Sequence, residues 1–270
     1  MENFLTNLEF FKYSILCSLL VALVCSYLSV YVVLKRIVFV SVAVTQVSSA
    51  GIAVAFITGT NPTLISLLFT FLGVAIFSTR FEERRLSNES IIGIGFVVAS
   101  AATILLVSKS AKGIHEIDDL LFGNVLAVTP YQIYLMAIIV TCIFIAHFLF
   151  YKELASITLD FEMARASGMR ARLWELMLYL TIGAAISIGI RTAGNLLITS
   201  FLTIPAVIGL LIANRMKNVF IIAITAGIIS AFTGFLFSYN FDLPTSPCIV
   251  AILFIILCLT LPIRFLKRKS

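Results

Sequence analysis

From Pro130 to Phe150 the chain reads PYQIYLMAIIVTCIFIAHFLF, twenty-one residues without an aspartate, glutamate, lysine or arginine, and runs of this kind recur from one end of the sequence to the other. A hydrocarbon core about 30 Å thick is crossed by a helix of about 20 apolar residues. Outer-membrane barrel strands are about 10 residues long and alternate in polarity, so these runs are too long and too uniformly apolar for a barrel. In lipid the backbone must satisfy its own hydrogen bonds, which an α-helix does within one segment. Composition points the same way. Hydrophobic residues make up 61% and charged residues 12%, where soluble domains carry about 25% charged residues, and mean hydropathy is +1.12. The sequence therefore predicts an all-α, polytopic transmembrane helical bundle in which residues 1–270 form one membrane domain.

About nine spans are expected, at roughly 12–34, 37–57, 62–78, 90–108, 130–150, 173–190, 195–213, 218–238 and 247–263, each boundary good to about 2 to 4 residues. The leading MENFLTNLEFF carries Glu2 and Glu9 and no basic residue before Lys12. It lacks the basic n-region of a secretory signal, reads as an amphipathic lead-in, and is expected to stay uncleaved. Positive loops remain in the cytoplasm. With the N-terminus outside, alternation of the spans puts Lys35, Arg36, Arg80, Arg84, Arg85, Lys152, Arg165, Arg170, Arg172, Arg215, Lys217, Arg264, Lys267, Arg268 and Lys269 inside, fifteen of the nineteen basic residues. Only Lys12, Lys109, Lys112 and Arg191 fall outside or at the outer edge. The same asymmetry explains the net charge of +6, and because the charges are dispersed over loops no nucleic-acid partner is indicated.

Several absences narrow the chemistry. The five cysteines lie in or at the ends of spans, without CxxC or paired Cys/His spacing, and suit small apolar packing. None of the acidic residues falls near the middle of a span, which counts against proton coupling. A carrier coupled to Na⁺ can use carbonyls and hydroxyls, so a secondary transporter stays open. The sequence holds no GxxxxGK[ST] and no Gly-Lys pair, so ATP chemistry would have to sit on a partner. A membrane-embedded enzyme or scaffold is disfavoured, since no nucleophile, base and orienting group recur at usable spacing.

The longest inner loop runs YKELASITLDFEMARASGMRARLWE. Asp160 can cap a short helix over 161–167 and Gly168 can end it. With Phe161 and Met163 for packing and Asp160, Glu162 and Arg165 for polar contacts, this helix could dock a cytosolic subunit; the alternative is an ordinary interfacial helix.

The segment LDFEMARASGM resembles the Asp-x-x-x-Ala-x-x-x-Gly coupling segment of a known family, with Asp160, Ala164 and Gly168 at its fixed positions. The likeness continues in LLFGNVLAV (120–128), GNLLITSFLTIPA (194–206) and GFLFSYNFDLPTSP (234–247), the last similar to the pattern Gly-x-x-x-Ser…Asp-x-Pro-x-Gly-Pro. The family is that of the permease subunits of the ABC importers for zinc, manganese and iron ions. The resemblance implies a type II importer permease in a bacterial plasma (inner) membrane, working as a homodimer with cytosolic ATP-binding subunits and an extracytoplasmic solute-binding protein. It implies a divalent metal ion as substrate and no cofactor bound by this chain. The alternatives are a permease for a metal chelate or other small solute, and an ion-coupled secondary transporter.

One stretch departs from the family. Where the pattern has Gly-Asp-Ala-x-Ser-His-Ala-x-x-Pro-Gly, this chain has SVAVTQVSSAG (41–51), with Val42 at the aspartate, Gln46 at the histidine and Ala50 at the proline position. A carboxylate and an imidazole four residues apart share one helix face and can ligate a passing ion; valine cannot, and a glutamine carbonyl is a weak ligand. Thr45, Gln46, Ser48 and Ser49, with Thr199, Ser200 and Thr203 ahead of Pro205, are candidates to line a path instead, or to hold helices together. The expected outer segment GIHEIDDLLFG gathers His115, Glu116, Asp118 and Asp119, which could collect a cation or meet a binding protein, or simply form a solvated cap. His147 is expected as an interfacial side chain.

Overall fold

Helix is the only regular structure among the described residues of this computed structural model, which are 2–78, 87–109, 123 and 128–267, without the side chains of 2–12, 88 and 263–267. The elements are α1 (Glu2–Leu34), α2 (Val38–Thr58), α3 (Pro62–Ser78), α4 (Asn88–Val107), α5 (Pro130–Leu149), α6 (Tyr151–Leu159), α7 (Phe161–Ala166), α8 (Ala171–Phe201), α9 (Ile204–Ile212), α10 (Met216–Phe241) and α11 (Thr245–Lys267). Their ends follow local chemistry. Ser87 Oγ accepts from the Ser90 N–H at 3.2 Å to start α4, and Gln132 Oε1 accepts from the Thr129 N–H at 2.9 Å where Pro130 opens α5. These bonds satisfy amide donors that a helix start leaves free, and a proline there has no N–H to satisfy.

Seven of these stretches are long and apolar enough to cross a membrane: Tyr13–Leu34, Val38–Thr58, Glu89–Val107, Pro130–Leu149, Ala171–Ile212, Met216–Phe241 and Thr245–Pro262. The expected nine is an approximate count, and the two figures differ at two places. α3 is apolar but has 17 residues. The expected sixth and seventh spans run together as one stretch of 42 residues, which as a straight helix would be about 63 Å long. That is twice the hydrocarbon thickness, and the stretch is broken inside α8 at Gly194, which has φ 79° and ψ 163°.

The interior lies along α1, α2 and α8. α1 buries Val21, Ala22, Val24, Cys25, Leu28 and Val32 completely and packs on α5, α8, α9 and α10. α2 packs on α3, α4 and α8. α4 is mostly unburied in the protomer, and its outward residues Ile94, Val97, Val98 and Leu105 are apolar, as a lipid-facing surface requires. Between membrane helices the driving force is close packing rather than water release, so small residues mark the contacts. At the α1–α10 crossing a Cβ on Gly227 would overlap Ser26 Oγ, and at the α10–α11 crossing a Cβ on Gly234 would stand 2.5 Å from Ile249 Cα.

Candidate functional site

The short helix expected between Asp160 and Gly168 forms, over Phe161–Ala166. Asp160 Oδ1 accepts from the Met163 N–H at 2.9 Å and caps α7. The helix ends in a Schellman motif: the Gly168 N–H donates to Arg165 O at 3.1 Å and the Met169 N–H to Ala164 O at 3.3 Å, with Gly168 at φ 82°. Only a residue without a Cβ adopts that conformation freely. The helix and its two caps divide into two faces. Ala164 is buried and Phe161 half-buried against the bundle, while Asp160, Glu162, Met163, Arg165 and Gly168 are exposed. Met163 and the preceding Leu159 are each 69% exposed. Phe161 and Met163, the two residues expected for packing, thus serve opposite faces. Glu162 and Arg165 approach to 4.0 Å on the outer one.

Beneath α7 lies a feature no motif announced. Lys35, at the end of α1, forms an ion pair with Glu175 of α8. Their side chains are 6% and 11% exposed, and the Lys35 ammonium also lies 5.3 Å from the centroid of the Phe161 ring. Lys35, Phe161 and Glu175 help to line a cavity of about 300 Å³ at this end of the bundle.

Most hydroxyls among the candidate path residues bond to backbone carbonyls one turn back. In α2, Thr45 Oγ1 donates to Val42 O at 2.6 Å and Ser49 Oγ to Thr45 O at 3.0 Å, and both residues are buried. In α8, Thr199 Oγ1 donates to Asn195 O at 2.9 Å and Ser200 Oγ to Leu196 O at 2.8 Å. Thr203, between α8 and α9, donates to Thr199 O at 2.9 Å. Thr199, Ser200 and Thr203 are half-buried. Ser48 joins Ser66 of α3 at 2.7 Å, and Ser187 of α8 donates to the same Ser66 hydroxyl at 2.8 Å. This buried serine cluster pins three helices together, so Ser48 acts as glue. Gln46 differs from its neighbours: Ser41, Thr45, Ser48 and Ser49 are buried, whereas Gln46 is half-buried, as is Val42 one turn before it.

Three of the sequence motifs converge on the break at Gly194. Ser246, at the start of α11, donates its hydroxyl to Ala193 O at 2.8 Å, a carbonyl beside the helix break. Gly123, at φ 73°, packs so closely on the Ala193–Gly194 peptide that a Cβ there would stand 2.5 Å from Gly194 N. Asn195 is buried, and its side-chain oxygen has no hydrogen-bond partner among the described residues. The rest of the 234–247 motif closes the α10–α11 turn, where Asp242 takes φ 49° and Ser238 Oγ donates to Leu243 O at 2.6 Å.

His115, Glu116, Asp118 and Asp119 lie outside the described residues. His147, expected as an interfacial side chain, is enclosed by the bundle: it is 1% exposed, its Nε2 lies 3.0 Å from Thr181 Oγ1, and its ring packs edge-on against Tyr27 and Tyr31. An imidazole one turn from the end of an apolar helix reads as interfacial until the aromatic wall from α1 is in view. Among the described residues no three His, Cys, Asp or Glu side chains gather as a metal site would require.

Residues 7–263 match the ABC 3 transport family. The manganese transport system membrane protein MntC of Listeria monocytogenes serovar 1/2a is 27% identical over 252 residues, covering 93% of this chain and 90% of that protein. The manganese transport system membrane protein MntB of Synechocystis sp. is 28% identical over 245 residues, covering 91% and 80%. Among solved structures, PsaBC from Streptococcus pneumoniae in complex with Fab superposes with a TM-score of 0.89 at 23% identity, over 100% of this chain and 99% of that one.

Proposed function

The chain belongs to the ABC 3 transport family, and from that premise we propose that it is the membrane-spanning permease of an ABC importer that carries divalent metal ions inward, manganese or zinc foremost and iron after them. The observation that carries this reading is α7. A six-residue helix capped at both ends, anchored by Phe161 and Ala164 and presenting Leu159, Glu162, Met163 and Arg165 outward, is built to be gripped by another protein. ATP hydrolysis belongs to that partner, since this chain has no phosphate-binding loop. The basic residues put α7 on the cytosolic side, with the N-terminus outside and the C-terminus inside. Two copies of the chain, two ATP-binding subunits and an external solute-binding protein complete the importer.

The metal assignment draws on the relatives named for manganese transport. Thr45, Gln46, Ser49, Thr199, Ser200 and Thr203 are proposed to line the path, with Gln46 its most accessible polar member on α2. His115, Glu116, Asp118 and Asp119 are proposed to face the binding protein or the arriving cation. Reconstitution into proteoliposomes tests the reading: Mn²⁺ uptake should require the ATP-binding subunit, the binding protein and ATP. Uptake by this chain alone under an ion gradient would identify a secondary transporter, and uptake of a metal chelate without uptake of the free ion would overturn the substrate class.

A further inference from the structure

We propose that the Lys35–Glu175 ion pair is the rigid link through which movement of α7 reaches the transport path, with both side chains acting as positioning residues; this rests on the permease reading above. Three elements meet at one ammonium group. Lys35 closes α1, Glu175 belongs to the first turns of α8, and Phe161, beneath the ammonium, is the side chain that anchors α7. Nothing slack separates Lys35 from α2. The Arg36 N–H donates to Val33 O at 3.1 Å and the Ile37 N–H to Val32 O at 3.0 Å, while the Ser41 N–H already donates to Ile37 O at 3.0 Å. Arg36 is held at φ 59° in this junction, a left-handed conformation unfavourable for a residue with a Cβ. A displacement of Lys35 is therefore passed directly to the helix that carries Val42, Thr45 and Gln46.

The surroundings allow movement at this point. The cavity of about 300 Å³ bounded by Lys35, Ile37, Phe77, Phe161, Glu175 and Tyr179 gives the Phe161 ring somewhere to go, whereas a fully packed interior would resist. The pair itself cannot drift apart cheaply, because pulling two nearly buried charges apart forfeits an attraction that water does not replace there. Pull on α7 is thus carried by Phe161 to the ion pair, and by the pair to α2 and α8 together.

The test compares uptake per ATP hydrolysed in the reconstituted importer, with Mn²⁺ as the probe. Lys35→Met alone takes one charge from a nearly buried pair and can fail to fold, so the decisive variant is Lys35→Met with Glu175→Gln, which removes both charges of the pair together. It should assemble with its ATP-binding subunit and hydrolyse ATP at close to the wild-type rate, while Mn²⁺ uptake per ATP falls about tenfold or more. The exchange Lys35→Glu with Glu175→Lys should restore most of the loss. Unchanged uptake per ATP in the neutral variant, a parallel fall of uptake and hydrolysis, or no recovery on exchange overturns the proposal. Absence of ATP-dependent uptake in the wild type would instead sink the permease reading itself.

Discussion

Replacement of Gly168 by valine isolates the contribution of α7. A Cβ at this position meets no atom within 4 Å, so the substitution creates no clash and its whole cost is conformational. At φ 82° a residue with a Cβ pays about 1–2 kcal/mol, and a β-branched one stands at the upper end. α7 has six residues and little to spare, since its Asp160 cap contributes about 1 kcal/mol. Loss of the Schellman closure thus shifts the folded fraction of this one helix by about 5- to 30-fold and leaves the buried bundle untouched. Membrane insertion and thermal unfolding of Gly168→Val should match the wild type, while assembly with the ATP-binding subunit and uptake per ATP fall by a comparable factor. Gly168→Asn is the control, because asparagine tolerates the left-handed region, and it should retain most of the activity. Normal assembly and uptake in the valine variant, or equal losses in valine and asparagine, would refute the reasoning.

Other outcomes follow from the same geometry. Reporter fusions should place the N-terminus outside and the C-terminal KRKS in the cytoplasm; the opposite result would remove α7 from the cytosol. Val42→Asp with Gln46→His should create a ligand pair on one helix face that retains a transition ion through purification, as metal analysis would show, whereas the wild type retains no stoichiometric ion there and Gln46→Ala lowers uptake only modestly. Ser246→Ala should leave Ala193 O without its donor at the break in α8, at a cost of about 1–3 kcal/mol, seen as a lower unfolding midpoint in detergent. An unchanged midpoint would mean that another group satisfies that carbonyl.

What was legible in the sequence was whatever depends on neighbours in the chain. Span positions follow from apolar length, and α7 follows from Asp160 and Gly168 at fixed offsets. The features that needed the fold join residues far apart. Lys35 and Glu175 are 140 positions apart, and Ser66 and Ser187 are 121 apart. In one dimension Lys35 is a loop cation marking the inner side, and Ser48 is one hydroxyl among several. Gly194 was readable as part of the connection between the spans expected at 173–190 and 195–213, but not as the meeting point of Gly123, Ser246 and Asn195. The enclosure of His147 needed the fold for the same reason, since helical position gives depth in the membrane and not which face a neighbour covers.

The burial pattern of α2 bears directly on what the path can recognise. A helix that met lipid on one side and packed helices on the other would turn its polar residues inward, and Ser41, Thr45, Ser48 and Ser49 do turn inward, with their hydroxyls bonded to backbone carbonyls or to Ser66. Gln46 does not follow them; it shares a half-buried face with Val42, the face on which the resembling family places its aspartate and histidine. An amide is costly against lipid, so this face is better matched to a polar path or to a second copy of the chain than to hydrocarbon. On the proposed path assignment, this face offers a valine and an amide where a carboxylate and an imidazole would hold an ion. A neutral face binds a divalent ion weakly, and on that same proposal discrimination among ions falls to the external binding protein. Exchanging that protein for one of different metal preference should then change which ion is taken up, with the permease unaltered, in the same proteoliposome assay. Retention of the original preference would place the selecting ligands in this chain after all.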